Sequence, residues 1–209
     1  MFNKKLLIRQ LGKIDPLMTI SFDLDEYYIG DTVVITCTLP NDATGTVTLS
    51  IDDTQYTAQL SNGVATFNIT GLLSGNKSAY ASYPGDSKYN NTTQTGTVSI
   101  MKKTFSLLSN PSYRDSYYER QNDRYQSFKL RIPSDSDVDK VYVQCDDTTY
   151  LGSSSTEGSS YKLILFEIFG LTSGKYTAYI GYLGDDIYLA NDKVYRLSWK
   201  VQKDSAPIS

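Results

Sequence analysis

The sequence predicts an all-β protein in which a short basic N-terminal arm precedes two tandem antiparallel β-sandwiches. The first observation is a repeat, because Tyr83–Tyr89 (YPGDSKY) recurs 99 residues later as Tyr182–Tyr188 (YLGDDIY). The same offset joins Gly71 to Gly170, Leu72 to Leu171, Gly75 to Gly174, Val98 to Leu197 and Ile100 to Trp199. An offset sustained without a gap indicates one structural unit written twice. The second observation is composition, because 18 tyrosines and many threonines favour a pleated sheet.

Within the first copy, short segments of alternating apolar and polar residues predict seven strands. They cover residues 18–24, 32–39, 46–51, 55–60, 64–69, 78–83 and 95–101. Between them, Tyr27–Asp31 is expected to form a turn, and Asp52-Asp53 a tight turn. Asn62-Gly63 predicts a hairpin, because this pair tolerates the positive φ angles of a tight reversal. Strands this short, with no helical period between them, are typical of an antiparallel sandwich.

The second copy repeats this series with changes in its loops. Residues 141–150 match residues 47–56 at an offset of 94, whereas Phe166 matches Phe67 at 99, so five residues are inserted between these matches. The insertion falls in the Gly/Ser-rich segment 151–160, which we expect to be a mobile loop. We predict an N-terminal arm at residues 1–17, a first domain at 18–101, a second domain at 102–203 and a tail at 204–209, with Lys102-Lys103 as a short boundary.

The two cysteines lie one in each copy, on the apolar side of predicted strands. Cys37 follows Ile35 with a period of two, and Cys145 follows Val143 in the same way. We expect both to be buried free thiols, which behave as small hydrophobic groups. A disulfide between them would require the cores of two separate domains to meet, which disulfide geometry makes difficult.

Charge and composition argue against several classes of function. A net charge of −3 and a pI near 5.0 argue against a nucleic-acid partner, which usually requires a basic face. Histidine is absent, which removes the commonest general base and the commonest metal ligand. The sequence contains no run of about 18 apolar residues, so no membrane insertion is expected. We predict no cofactor.

Several stretches of the first copy resemble a known repeat. They are residues 44–49 (TGTVTL), 62–67 (NGVATF), 71–75 (GLLSG) and 81–89 (ASYPGDSKY). Together they are similar to the bacterial Ig-like repeat found in surface adhesins of bacteria and methanogenic archaea. The second copy keeps Gly-Leu-x-x-Gly, Tyr-x-Gly-Asp and the final tyrosine, but lacks Thr-Gly-Thr-Val. The resemblance implies two immunoglobulin-like sandwiches used for spacing, display or adhesion, and it implies no catalytic residues.

The repeated Gly-Asp-x-x-Tyr pattern is interpreted as a device that fixes a loop. Glycine permits the turn, the aspartate accepts backbone amides, and the tyrosine covers the sandwich edge with its hydroxyl in water. The residues assigned this role are Gly85, Asp86, Tyr89, Gly184, Asp185 and Tyr188. A calcium site at Asp86 or at Asp185-Asp186 is the alternative, because carboxylates suit that ion. No Asp-x-Asp-x-Asp series accompanies these residues, so no metal site is predicted.

Two pairs of adjacent aspartates, Asp52-Asp53 and Asp146-Asp147, raise the possibility of carboxylate catalysis. Adjacent residues of a strand point to opposite faces, however, and these pairs fall where hairpins close. No serine or cysteine has an obvious neighbouring base, and no glycine-rich phosphate loop is present. We therefore predict that the protein is not an enzyme.

Two segments are candidates for partner binding. The first is rich in tyrosine and arginine, which interfaces favour at their centres, and comprises Tyr113, Arg114, Tyr117, Tyr118, Arg120, Arg124 and Tyr125. An ordinary polar loop and a carbohydrate-stacking surface remain open for this segment. The second is the arm, with Lys4, Lys5, Arg9 and Lys13. It is either a docking arm that orders on an acidic or particle surface, or a disordered terminus.

These observations predict a non-catalytic structural and display module, most directly a virion-surface component that serves as a head decoration or tail accessory and aids adhesion to the host. The absence of a recognisable secretory signal and the basic arm favour this setting. The alternatives are a fragment of a cell-surface adhesin, located at the cell surface, and a carbohydrate-binding module. The expected partners are other structural proteins of a particle or cell surface and a host-surface glycan or protein, in an oligomeric assembly.

Overall fold

The computed structural model describes residues 12–113, 115–118, 125–152, 155–157 and 160–203, with the backbone alone for 117–118 and 155–157. The chain divides into two compact units, and the division falls between Met101 and Lys102. Each unit has two principal sheets and a hydrophobic core of its own. The predicted all-β sandwich class is confirmed.

The strands of the first unit assemble into a three-stranded and a five-stranded sheet. Their bounds are β1 (Thr19–Phe22), β2 (Tyr27–Tyr28), β3 (Val33–Thr38), β4 (Thr46–Ile51), β5 (Thr54–Gln59), β6 (Val64–Ile69), β7 (Gly75–Tyr83) and β8 (Thr92–Met101). The sheet orders are β1-β3-β6 and β2-β8-β7-β4-β5. Strand β2 runs parallel to β8, and the other pairs are antiparallel. The connection from β3 to β4 therefore passes from one layer to the other.

The second unit repeats this arrangement with one strand added to its smaller sheet. Its strands are β9 (Lys103–Thr104), β10 (Ser112–Tyr113), β11 (Ser116–Tyr118), β12 (Tyr125–Pro133), β13 (Val141–Cys145), β14 (Thr148–Leu151), β15 (Ser155–Glu157), β16 (Tyr161–Phe169), β17 (Gly174–Tyr182), β18 (Tyr188–Leu189) and β19 (Asn191–Gln202). The sheet orders are β10-β12-β16-β15 and β11-β19-β17-β13-β14, and β9 pairs with β18. A 3-10 turn, Val138–Lys140, precedes β13.

Alternation with a period of two decides which side chains enter each core. On β3, Ile35 and Cys37 are buried and their neighbours are more exposed, and on β13 the same pattern buries Val143 and Cys145. Both cysteines are free and buried, as predicted, and burial raises the pKa of each thiol to about 11. Burial of an aliphatic side chain stabilises the fold by roughly 1.5–3 kcal/mol. Most of the stability of each unit therefore comes from these inward positions.

Two hairpin turns follow the sequence prediction. Asp52 and Asp53 have φ angles of 45° and 60°, and Asn62 and Gly63 have φ angles of 50° and 75°. A Cβ added to Gly63 would lie 2.5 Å from the carbonyl oxygen of Pro40, so only glycine fits this position. The adjacent aspartates close a hairpin, as predicted.

Two segments expected to be loops contain short strands. Tyr27 and Tyr28, predicted as part of a turn, form β2, because the backbone of Tyr27 pairs with Ile100 while its ring is fully buried. Within segment 151–160, Ser155–Glu157 forms β15 against the edge of β16. An exposed strand edge offers unpaired backbone groups that can recruit a segment without periodicity of its own. The expected mobility of this loop stays a prediction.

The pairing register of the second unit departs from the repeat. In the first unit, Tyr80 of β7 faces Thr95 of β8. The 99-residue offset would place Val194 opposite Tyr179, but Tyr179 faces Arg196. The reason is a β-bulge near the start of β19, where residues 192–194 lie opposite Gly181 alone and shift the pairing by two residues. The shift is an even number of residues, so each side chain keeps its face.

The two separate cores predict that the units unfold independently. Ile35→Ala should lower the free energy of unfolding of the first unit by about 2–5 kcal/mol, because it empties a fully buried site. Native-state thiol labelling at mildly alkaline pH, read by peptide mass spectrometry, should then speed up at Cys37 by roughly thirtyfold or more. Labelling of Cys145 should not change.

The mirror variant is Ile180→Ala, which empties a fully buried site in the second unit. It should accelerate labelling of Cys145 and leave Cys37 unchanged. Equal acceleration of both thiols by either variant would show that the units unfold together, contrary to this prediction.

Candidate functional site

The Gly-Asp-x-x-Tyr segments form matching loops in the two units. Gly85 and Gly184 have φ angles of 86° and 85°, a left-handed conformation that side chains rarely adopt. A Cβ added to Gly85 would lie 2.7 Å from the carbonyl oxygen of Tyr89. The first loop links β7 to β8, and the second links β17 to β18. The tight turn that the sequence predicted at these glycines is therefore present in both units.

Asp86 binds its own loop and a distant segment at the same time. Its Oδ1 accepts hydrogen bonds from the backbone amides of Lys88 (2.8 Å) and Tyr89 (2.8 Å). Its Oδ2 accepts bonds from the backbone amide (2.9 Å) and the hydroxyl (3.1 Å) of Thr44. These bonds, that of the Thr44 amide foremost, hold the pKa of Asp86 well below its ordinary value. The carboxylate is occupied by structural contacts.

Asp185 does the same work in the second unit. Its Oδ1 accepts the backbone amides of Ile187 (2.8 Å) and Tyr188 (2.6 Å). Its Oδ2 accepts the amide of Asp137 (3.2 Å) and the hydroxyl of Tyr182. Burial works to raise the pKa of Asp185, but these hydrogen bonds outweigh it and the pKa lies below its ordinary value. The corresponding Tyr83 hydroxyl donates to the carbonyl oxygen of Thr44 (2.9 Å), and burial raises the pKa of Tyr83 to about 12.

The closing tyrosines are held by a second aspartate. Tyr89 donates its hydroxyl to Asp42 (2.6 Å), and Tyr188 donates to Asp135 (2.6 Å). The sequence predicts these hydroxyls to be in water, but in the structure each donates to a carboxylate. The two aspartates were not identified from the sequence, although both follow a strand in the pattern Pro-x-Asp, at residues 40–42 and 133–135. This shared pattern is the signal that could have revealed them.

Each second aspartate also has a lysine partner. Lys88 forms an ion pair with Asp42, and the Lys88 and Tyr89 hydrogen bonds lower the pKa of Asp42. Lys103 lies 3.3 Å from Asp135. Burial works to raise the pKa of Asp135, but its bonds to the tyrosine and the lysine outweigh burial and lower it. Within the described residues, no group of three or more acidic or cysteine side chains is arranged to hold a metal ion.

The chain that enters each unit lies along the same loop. Ile14 donates its amide to the carbonyl oxygen of Lys88 (2.9 Å) and accepts the amide of Asn90 (2.9 Å). In the second unit, Lys103 donates its amide to Ile187 (2.8 Å). Of the four arm residues assigned to partner binding, Lys13 is exposed. Lys4, Lys5 and Arg9 lie outside the described residues, and the docking role of the arm stays a prediction.

The tyrosine-rich segment contributes to both sheets of the second unit. The ring centre of Tyr113 in β10 lies 6.0 Å from that of Phe128, and the ring centre of Tyr125 in β12 lies 5.2 Å from that of Phe169. The backbone of Tyr117 pairs in parallel with Val201, and that of Tyr118 with Gln202. Arg114, Arg120 and Arg124 lie outside the described residues. Tyr113 thus supports the core, and the partner-binding role of the segment stays a prediction.

The contacts of Asp185 predict a pH-dependent stability. Because its pKa is lower in the folded state, the ionised form contributes stability that is present above the unfolded pKa and is lost as pH falls through the folded pKa. Asp185→Asn should lower the free energy of unfolding by about 1–3 kcal/mol at neutral pH. The difference from wild type should shrink below about pH 4. Urea unfolding followed by the fluorescence of Trp199, the single tryptophan, reports on this unit.

The matched control is Asp186→Asn, the same change at the exposed neighbouring carboxylate. It should alter stability by no more than about 0.5 kcal/mol. A cost of Asp185→Asn that is the same at neutral and at acid pH would contradict a role for the carboxylate charge.

Comparison with protein families finds a match in the first unit. Residues 24–101 match the family model described as bacterial Ig-like domain (group 3). No curated protein matches the chain. Within the described residues, no helix is long and apolar enough to cross a membrane.

Three solved structures are similar to this chain at low sequence identity. The titin domains Z1Z2 in complex with telethonin share 16% identity, with 93% of this chain and 100% of that chain covered and a TM-score of 0.42. The fibronectin(III)-like modules of Clostridium thermocellum CbhA share 16% identity, with 88% and 95% covered and a TM-score of 0.32. Bacteroides ovatus SGBP-B in complex with a mixed-linkage heptasaccharide shares 16% identity, with 92% and 48% covered and a TM-score of 0.32.

TM-scores this low support no inference about function. Residues 24–101, within the first unit, are thus similar to a bacterial Ig-like domain, and the second unit repeats the two-sheet sandwich of the first.

Proposed function

We propose that this protein is a non-catalytic structural module in which two tandem Ig-like domains display interaction surfaces on the outside of an assembly. The observation that carries the proposal is that the carboxylates and tyrosine hydroxyls of the Gly-Asp-x-x-Tyr loops are engaged in internal hydrogen bonds. The carboxylate oxygens of Asp86 and Asp185 accept hydrogen bonds from backbone amides and hydroxyls. The hydroxyls of Tyr89 and Tyr188 donate to aspartates. Groups committed in this way build shape and are not free for acid–base chemistry.

The setting that we propose first is the surface of a virion, as a head decoration or tail accessory. The basic character of residues 1–17 supports docking on an acidic, ordered surface. The second setting is a cell-surface adhesin, which the bacterial Ig-like match over residues 24–101 supports. In both settings the two sandwiches act as rigid supports for their outer faces and loops.

Immunogold electron microscopy with antibodies against the chain distinguishes these settings. Regularly spaced label on particles would support the virion setting, and label on the cell wall would support the adhesin setting. Diffuse label inside cells, with no particle or surface attached, would contradict display in either setting.

The tyrosine-rich segment supplies a test of attachment. Replacing Tyr117, Tyr118 and Arg120 together by alanine should weaken attachment to the isolated particle or cell surface by at least about tenfold, the effect of losing interface anchors. The melting temperature should stay nearly unchanged, because the β11 pairing with β19 uses backbone groups that alanine retains. Co-sedimentation gives the bound fraction, and circular dichroism gives the melting temperature.

The control is Tyr28→Ala in β2, the strand of the first unit that also runs parallel to the last strand of its sheet. Tyr28 is 42% exposed, so its loss should affect neither attachment nor folding strongly. Unaltered attachment of the triple variant would contradict a binding role for the segment.

A further inference from the structure

The outer face of the five-stranded sheet in the second unit is basic, although the chain as a whole is acidic. Strand alternation buries Leu197 and Trp199 of β19 and turns Arg196 and Lys200 outward. On β17 the same alternation exposes Lys175. Lys193, near the irregular start of β19, is exposed, and its ammonium lies 6.0 Å from the centre of the outward-facing Tyr179 ring. Four cations therefore lie on one side of this sheet.

The cross-strand pairs make this arrangement unfavourable for stability alone. Lys175 lies directly opposite Lys200, and Tyr179 lies directly opposite Arg196. Like charges placed opposite one another on neighbouring strands destabilise a sheet. Within the described part of the chain, none of these three cations takes part in an ion pair. An anionic ligand would relieve the repulsion.

The first unit shows that the fold does not require these charges. At the same places on its five-stranded sheet, Asn76 lies opposite Ser99 and Tyr80 lies opposite Thr95. The tyrosine is present in both units, at residues 80 and 179, but the cations are present only in the second. The two faces therefore share a scaffold and differ in charge.

A depression of about 430 Å³ lies on the basic face, beside Lys193 and Arg196. It is lined by Gln144, Asp146, Thr177, Tyr179, Lys193 and Arg196. Tyr179 is 36% exposed, and the Lys193 ammonium lies 6.0 Å from the centre of its ring. An exposed ring beside cations can stack on a sugar while the cations bind acidic substituents.

Next to the depression, the ring of Tyr142 lies across Gly181, where an added Cβ would come within 2.2 Å of it. Burial, and then the nearby Asp192, raise the pKa of Tyr142. Among the described residues, the carboxylates beside this surface are Asp146, Asp192 and Asp115, whose carbonyl oxygen accepts the Lys200 amide, and the four cations outnumber these three. The face therefore combines two aromatic rings with a net positive charge.

We propose that the outer face of β13, β17 and β19 binds an acidic polysaccharide, with Tyr179 against a sugar ring and Lys175, Arg196 and Lys200 on its carboxylate or sulfate groups. Arg196 and Lys200 stand four residues apart on one strand, a spacing of about 13 Å. A polymer that carries charge at regular intervals can contact both. A sugar ring uses the exposed face of Tyr179, which an acidic peptide would not require, and this favours a glycan.

This inference rests on the proposed display function for its biological setting, but the isolated chain suffices to test it. The probes are octasaccharides of polygalacturonate, which carry carboxylates, and of heparin, which carry sulfates, with a dextran octasaccharide as the neutral comparison. Titration calorimetry should detect one of the anionic probes and not dextran. Binding should weaken steeply between about 50 mM and about 200 mM salt. The preferred probe identifies carboxylate or sulfate as the recognised group.

The double variant Lys175→Gln with Arg196→Gln should bind the preferred probe at least tenfold more weakly. The slope of the logarithm of the binding constant against that of the salt concentration should fall by about two. Tyr179→Ala should weaken binding of the saccharide but not that of poly-L-glutamate. The matched control is Lys129→Gln with Arg131→Gln, which removes the same charge from exposed positions on β12 of the other sheet. This control should bind as wild type does.

Equal losses in the two double variants would show charge attraction without a site and would overturn the proposal. Tighter binding of poly-L-glutamate or of an oligodeoxynucleotide than of either acidic saccharide would also overturn it, in favour of an acidic protein or a nucleic acid. Melting curves of each variant confirm folding, and removal of Lys175 relieves a repulsion, so no loss of stability is expected. Absence of binding to both acidic saccharides would also overturn this proposal, while the microscopy test of the display function would be unaffected.

Discussion

Each sandwich depends on one carboxylate that binds two segments distant in sequence. In the first unit, Asp86 accepts two amides of its own loop with one oxygen and the amide and hydroxyl of Thr44 with the other. Thr44 lies in the connection that passes from the three-stranded to the five-stranded sheet. One side chain thereby closes a turn and fixes the point at which the chain changes layers. Because its bonds go to backbone amides, which are present at every non-proline residue, the arrangement places few demands on neighbouring side chains.

The second unit keeps the interactions while changing the residues that provide them. The aspartate that holds the closing tyrosine has a lysine partner in both units, but Lys88 comes from the loop itself whereas Lys103 comes from the strand that enters the unit. The position after Asp186 is Ile187, so the loop of the second unit has no lysine in the place of Lys88. What is retained is a positive charge beside a half-exposed carboxylate that also accepts the hydroxyl of the closing tyrosine.

The cores and loops of the two units agree, and their outer faces do not. The first unit presents hydroxyl and amide groups on its five-stranded sheet, and the second presents lysine and arginine around a tyrosine. Outward positions contribute less to folding than core positions do, so they can change while the sandwich is kept. The chain thus contains two copies of one scaffold with different surfaces, as the proposed display function requires.

Local physics explains what the sequence by itself determined. The strand class and the burial of both cysteines follow from period-two alternation, and the hairpin turns follow from the φ preferences of a few residues. Both can be read from short segments of the sequence. The tertiary structure alone decided the partners of the closing tyrosines, Asp42 and Asp135, which lie 47 and 53 residues away along the chain. It also decided the two-residue register shift that sets Arg196 opposite Tyr179 and Lys200 opposite Lys175. A bulge moves the pairing without changing the alternation, so the sequence pattern is the same with or without it.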